Sequence, residues 1–143
     1  MSTKEPTYPD PLITLESERY WAAAREGVLL LKKCNACGET HYYPRAVCPH
    51  CLSGDTEWQP SGGRGKIYTF SVMRRVAAPY AIAYVTLDEG VTMMTNIVDC
   101  DLDSIAIGQE VEVVFRTTEG GHALPMFRPR GAAISQERSQ SAP

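Results

Sequence analysis

Two pairs of cysteines constrain this chain more than anything else in it. Cys34-Asn35-Ala36-Cys37-Gly38 is followed by Cys48-Pro49-His50-Cys51, with ten residues between Cys37 and Cys48. Each Cys-x-x-Cys makes a tight turn that aims two sulfurs at one centre, and two such turns this close specify a tetrahedral metal site. Zn²⁺ takes four thiolates at about 2.3 Å, and the closed shell leaves no position for water. Iron in a rubredoxin-like site takes the same four ligands, so zinc and iron both stay open. Gly38 suits the first turn because it tolerates positive φ, and Pro49 restricts the second. Two disulfides would need an oxidising compartment. A redox-active Cys-x-x-Cys would need one motif and a βαβ surround, which is absent. His41 and His50 are near enough in sequence to substitute as ligands, but with four thiols available they read as surface or flanking residues.

The chain has 143 residues, enough for one or two small domains. A ribbon of about thirty residues could not fold without its metal. No apolar run reaches the roughly 20 residues that span a membrane, and residues 1–11 lack the apolar core of a signal peptide. A cytoplasmic location is therefore expected, where thiols stay reduced and available for metal. The net charge is −3, and the region 61–130 holds seven Lys/Arg against eight Asp/Glu. Nucleic-acid binding draws most of its affinity from cations on phosphates, so this balance weighs against a general nucleic-acid binder.

The order of signals predicts a mainly β chain in four parts. Residues 1–27 form an N-terminal arm and helix. Pro6, Pro9 and Pro11 keep the arm extended. Thr14 caps a helix with Glu16 and Glu18 near its first turn, and Gly27 ends it. Tyr20, Trp21 and Ala24 form its apolar stripe, which packs on its own domain or, with Tyr20 and Trp21 as anchors, on a partner protein. Residues 28–60 form the zinc ribbon, with strands at 29–31, 40–43 and 57–58. Residues 61–130 form a five-stranded OB-type barrel after the linker Pro60-Ser61-Gly62-Gly63. Its predicted strands are 66–76, long and bent, then 80–87, 91–98, 110–116 and 123–127. Asp88-Glu89-Gly90 makes a hairpin turn, and 101–107 a short connection. Alternation places Tyr68, Phe70, Tyr80, Tyr84 and Phe127 in the barrel core. Residues 131–143 read as a disordered tail.

The run YWAAAREGVLLLKKCNACGETHYYPRAVCPHC, then GRGKIYTFSV, PYAIAYVTLDEGVTMMTNIV, IGQEVEVVF and PMFRP, resembles the zinc-ribbon plus OB-fold family long filed as a domain of unknown function. The resemblance covers residues 14–129. It implies a small subunit that pairs with a thiolase-superfamily enzyme, in particular a sterol-carrier-type thiolase, and sometimes with a hydratase. It further implies that the partner supplies the catalytic cysteine and histidines, while this subunit stabilises the complex and helps hold the acyl-CoA thioester. Thiolysis, condensation, retro-aldol cleavage and acyl transfer are all compatible, and a dimer of heterodimers is the assembly implied. Met73-Arg74-Arg75 departs from the family pattern, which often has a histidine there.

The residues themselves point to no catalytic group in this chain. Cys100 is the one thiol outside the ribbon, and its neighbours Asp99 and Asp101 disfavour a thiolate. His122 sits in a turn and is expected to face solvent. Phosphates of a CoA-like ligand would need cations, and Arg64, Lys66, Arg74, Arg75 and Arg128 are the candidates, with Arg130 beside them. A single-stranded nucleic-acid module is the alternative function, and an iron-loaded electron carrier a third.

Overall fold

The computed structural model describes residues 8–130, so the predicted tail at 131–143 and the first seven residues of the arm lie outside the described residues. The chain divides into two compact units. The first takes the residues up to Gly62 together with Phe115–Pro125, and the second takes Gly63–Val114 and the residues from Met126.

In the first unit a 3-10 turn, Leu15–Ser17, leads into helix α1, Glu18–Arg25. Thr14 is extended, its amide donates to Ser17 Oγ at 3.0 Å, and the Ser17 amide donates to the Thr14 carbonyl at 3.0 Å. At the other end the Val28 amide reaches the Ala23 carbonyl and the Gly27 amide the Ala24 carbonyl. That pair of bonds with Gly27 at φ 83° is a Schellman stop, which satisfies carbonyls the helix leaves open. The buried face is Tyr20, Trp21 and Ala24. Tyr20 stacks edge-on against Trp21 at 4.8 Å and against Tyr42 at 5.9 Å, and its hydroxyl shares a 2.9 Å hydrogen bond with that of Tyr42. The aromatic cluster thus packs the helix against the ribbon, and burial raises the Tyr20 phenol well above its ordinary pKa.

The ribbon sheet has β1, Leu30–Cys34, between β2, Thr40–His41, and β3, Thr56–Pro60, all antiparallel. The arm is held too. Asp10 accepts from Thr118 Oγ1 at 2.6 Å and from the Gly120 amide at 2.8 Å, and the Glu119 amide donates to the Tyr8 carbonyl. A Cβ on Gly120 would meet the Asp10 carboxylate, so a side chain there would displace that carboxylate from its hydrogen bonds.

The second unit is organised on a closed barrel in the order β4-β5-β6-β8-β7, the OB topology expected from the sequence. Its strands are β4, Arg64–Met73; β5, Tyr80–Leu87; β6, Thr92–Ile97; β7, Glu110–Thr117; and β8, Ala123–Pro129. β6 and β8 meet in parallel at Ile97 and Phe127. Gly65 lies where a Cβ would come within 2.5 Å of the Thr86 carbonyl oxygen, so glycine at this position lets β4 and β5 close.

The barrel core corrects the sequence reading. Phe127 is buried, but Tyr68, Tyr80 and Tyr84 are 66%, 42% and 45% exposed, and Phe70 is half-buried. On β4 the cause is a bulge. The β4–β5 register shifts between Ile67 and Thr69, so Tyr68 is an extra residue and the alternation changes phase across it. Ile67 faces in opposite Val85, and beyond the bulge it is Phe70 that stands opposite Ala83. On β5 the inward set is Ala81, Ala83, Val85 and Leu87, which leaves Tyr80 and Tyr84 on the outer face.

Two outcomes follow. Phe127→Ala should cost about 3–5 kcal/mol in urea unfolding, and Tyr84→Ala less than about 1 kcal/mol. The Thr118 and Gly120 hydrogen bonds hold the Asp10 carboxyl below its ordinary range. Its stabilisation is therefore complete above its unfolded pKa and is lost as pH falls through the lower folded value. Intrinsic-rate-corrected hydrogen-exchange protection at the Gly120 amide should be flat at neutral pH and fall only in acid, and Asp10→Ala should abolish it at every pH.

Candidate metal centre

The two knuckles use the same backbone device. The amides of Gly38 and Leu52 donate to the carbonyls of Cys34 and Cys48 at 2.9 and 2.8 Å, and the amides of Cys34 and Cys48 donate to Glu39 and Ser53. Each turn also aims an amide at its first sulfur, Cys37 N at Cys34 Sγ (3.5 Å) and His50 N at Cys48 Sγ (3.3 Å). Donors so placed favour the charged thiolate.

All four sulfurs lie within 4.8 Å of one another. Cys34 and Cys51 Sγ are 3.6 Å apart, and Cys37 and Cys48 Sγ 3.7 Å. A tetrahedron with metal–sulfur arms of about 2.3 Å has edges of about 3.8 Å, so the cage is the right size for one zinc ion. Electrostatics point the same way. The Cys37 amide helps bring the Cys34 thiol down to about 7 against the pull of desolvation. The Glu39 amide lowers Cys37, but desolvation and the crowded sulfurs of Cys48, Cys51 and Cys34 outweigh it and push Cys37 up to about 12. Four thiols this close cannot all ionise alone, whereas a dication lets every one bind as thiolate.

His41 and His50 stand outside this four-sulfur group. His41 is buried on β2, neither ring nitrogen has a hydrogen-bond partner, and burial, then Lys32, His50 and Arg45, lower its pKa. His122 is half-buried, not exposed: its Nδ1 lies 3.3 Å from Arg25 Nη2, and its amide donates to Thr118 Oγ1. Cys100 is pushed up by burial first and by Asp101 and Asp99 next.

The candidate cations fall into two groups. Arg64 and Lys66 face Glu112 and Glu110 in the β4–β7 register, and Arg128 and Arg130 pair with the same two acids at 2.9 and 3.5 Å. The sequence reading missed Glu110 and Glu112, although their alternation on β7 was the available signal. Arg74 and Arg75 follow the opposite end of β4, ten residues long and so about 30 Å along. Arg74 pairs with Asp103 at 2.7 Å. Tyr20 is fully buried and Trp21 is 7% exposed, so both rings are spent inside their own unit. Among the described residues no helix is long and apolar enough to cross a membrane.

Comparison with known proteins adds the following. Residues 21–57 match the family described as the ChsH2 rubredoxin-like zinc ribbon domain, and residues 58–116 the ChsH2 C-terminal OB-fold domain. The chain is 32% identical over 136 residues to a probable enoyl-CoA hydratase alpha subunit of Thermomonospora curvata, covering 92% of this chain but only 42% of that protein. It is 43% identical over 91 residues to a DUF35 domain-containing scaffold protein of Methanothermobacter thermautotrophicus, covering 59% of this chain and 68% of the relative. It is 31% identical over 85 residues to the benzoylsuccinyl-CoA thiolase subunit BbsA of Geobacter metallireducens, 57% of each chain. Among solved structures it resembles a chain of the Ltp2-ChsH2(DUF35) aldolase, with a TM-score of 0.74 and 31% identity over 84% of this chain and 98% of that one.

Metal analysis should find one zinc per chain. Cys34→Ser and Cys48→Ser should each lose it and unfold the ribbon while the barrel strands persist by circular dichroism. Full zinc content in both variants would contradict the ligand assignment.

Proposed function

The chain belongs to the DUF35 family of zinc-ribbon and OB-fold proteins, and from that membership we propose that it is a non-catalytic subunit of a thiolase-like acyl-CoA complex. In this reading it stabilises the larger subunit and helps hold the CoA thioester, and the larger subunit supplies the reacting groups. The observation that carries the reading is the match, over 84% of this chain and 98% of the other, to a chain of the Ltp2-ChsH2(DUF35) aldolase. The thiolase subunit and hydratase alpha subunit among its relatives support the same class of partner. The chemistry within the chain agrees. Four thiols are committed to one centre, and the fifth, Cys100, is held protonated by burial and flanking carboxylates.

On this reading Arg64, Lys66, Arg74, Arg75 and Arg128 are the groups offered to the phosphates of CoA. Arg74 and Arg128 already hold carboxylates, so Arg64, Lys66 and Arg75 are the more available. The assembly is a dimer of heterodimers in a reducing, cytoplasmic setting, where a zinc tetrathiolate persists.

One observation favours the second reading, a single-stranded nucleic-acid module. Tyr84 and Met94 stand opposite each other on the outer face of β5 and β6, 45% and 60% exposed, and strands of this rank form the binding face of many OB-folds. The net charge of −3 weighs against it.

Co-expression with the thiolase-family proteins of the same genome should give a stable hetero-oligomer on sizing, active on a CoA thioester, while the isolated chain shows no turnover. Persistent separation from every such protein at micromolar concentration, with salt-sensitive binding to oligonucleotides, would favour the second reading.

A further inference from the structure

The two zinc knuckles are built alike but end differently. Gly38 closes the first at φ 81° and Leu52 closes the second at φ 68°. Both amides make the same bond to the carbonyl of the first cysteine of their knuckle. The left-handed region is open to glycine and costly for a side chain such as leucine. The chain itself therefore shows which residue this position suits, and the second knuckle departs from it.

The left-handed turn lets the Leu52 amide close the knuckle, but the side chain gains little packing to offset that cost. Its side chain is 75% exposed. Val47, immediately before Cys48, is 45% exposed, and Pro49 and His50 between the cysteines are exposed as well. The first knuckle instead shows solvent Asn35, Ala36, Gly38 and Glu39. One knuckle is thus polar and relaxed, and the other is apolar and strained. Backbone strain that buys no internal packing is retained at sites that act on something else.

We propose that Leu52, with Val47 beside the same knuckle, is an anchor that inserts into an apolar pocket on the larger partner subunit. The feature is a projecting knob on a metal-stiffened turn, so its counterpart is a concave apolar site. A rigid turn presents such a side chain with little ordering cost on binding. The identity of the partner rests on the reading under Proposed function, but the role of Leu52 is tested separately.

The test uses the zinc-loaded full chain and its co-purified thiolase-type partner. Leu52→Gly and Leu52→Asn both accept the left-handed backbone, so neither variant is expected to lose zinc or to melt below the wild type. Both should weaken association with the partner by about tenfold or more, chiefly through faster dissociation, because truncation costs most where a side chain fills a fully desolvated pocket. Undiminished association of both variants overturns the anchor and leaves the accessory-subunit reading standing. Loss of self-association in place of partner binding, read by sedimentation, overturns the choice of occupant. A wild-type chain that joins no thiolase-type protein overturns the reading above and the anchor with it.

Discussion

Four sulfurs converging on one centre are the constraint on which the N-terminal unit depends. The ribbon sheet is small: β2 has two residues, and β1 and β3 five each. A sheet of that size buries too little to fold alone, so the free energy of metal binding is its folding free energy. Helix α1 then rests on what the metal organises, through Tyr20 set among Trp21, Tyr42 and Tyr43. The barrel is the other case. It is closed by strand pairing around its own apolar core.

This division of labour suits a subunit that acts by shape. A closed tetrathiolate has no open position and activates no water, so the metal's contribution is rigidity. The surfaces left over carry the chemistry of contact. They are an apolar knuckle, a barrel face with exposed tyrosines, and cation–carboxylate rows across β4, β7 and β8.

The features legible in the sequence were those fixed by local rules. Cysteine spacing specified the cage, Gly27 the helix stop, and Asp88-Glu89-Gly90 the β5–β6 turn, with β5 running from Tyr80 to Leu87 as read. What escaped was decided at long range or by one backbone angle. The bulge at Tyr68 changes the phase of β4 without any change in composition, and on β5 the small and aliphatic residues at 81, 83, 85 and 87 take the inner face, so Tyr80 and Tyr84 lie on the outer one. Asp10 finds its partners 108 and 110 residues away, so nothing around it announces the contact. Leu52 could have been noticed by aligning the two knuckles, since Gly38 occupies the matching place.

The most direct test of the central claim is native mass spectrometry of the untagged complex isolated from the cells that make this chain. The account predicts a species holding equal numbers of this chain and a thiolase-family subunit, with one zinc for each copy of the chain. A zinc-loaded chain that runs alone, or that carries nucleic acid in place of a protein partner, would contradict it.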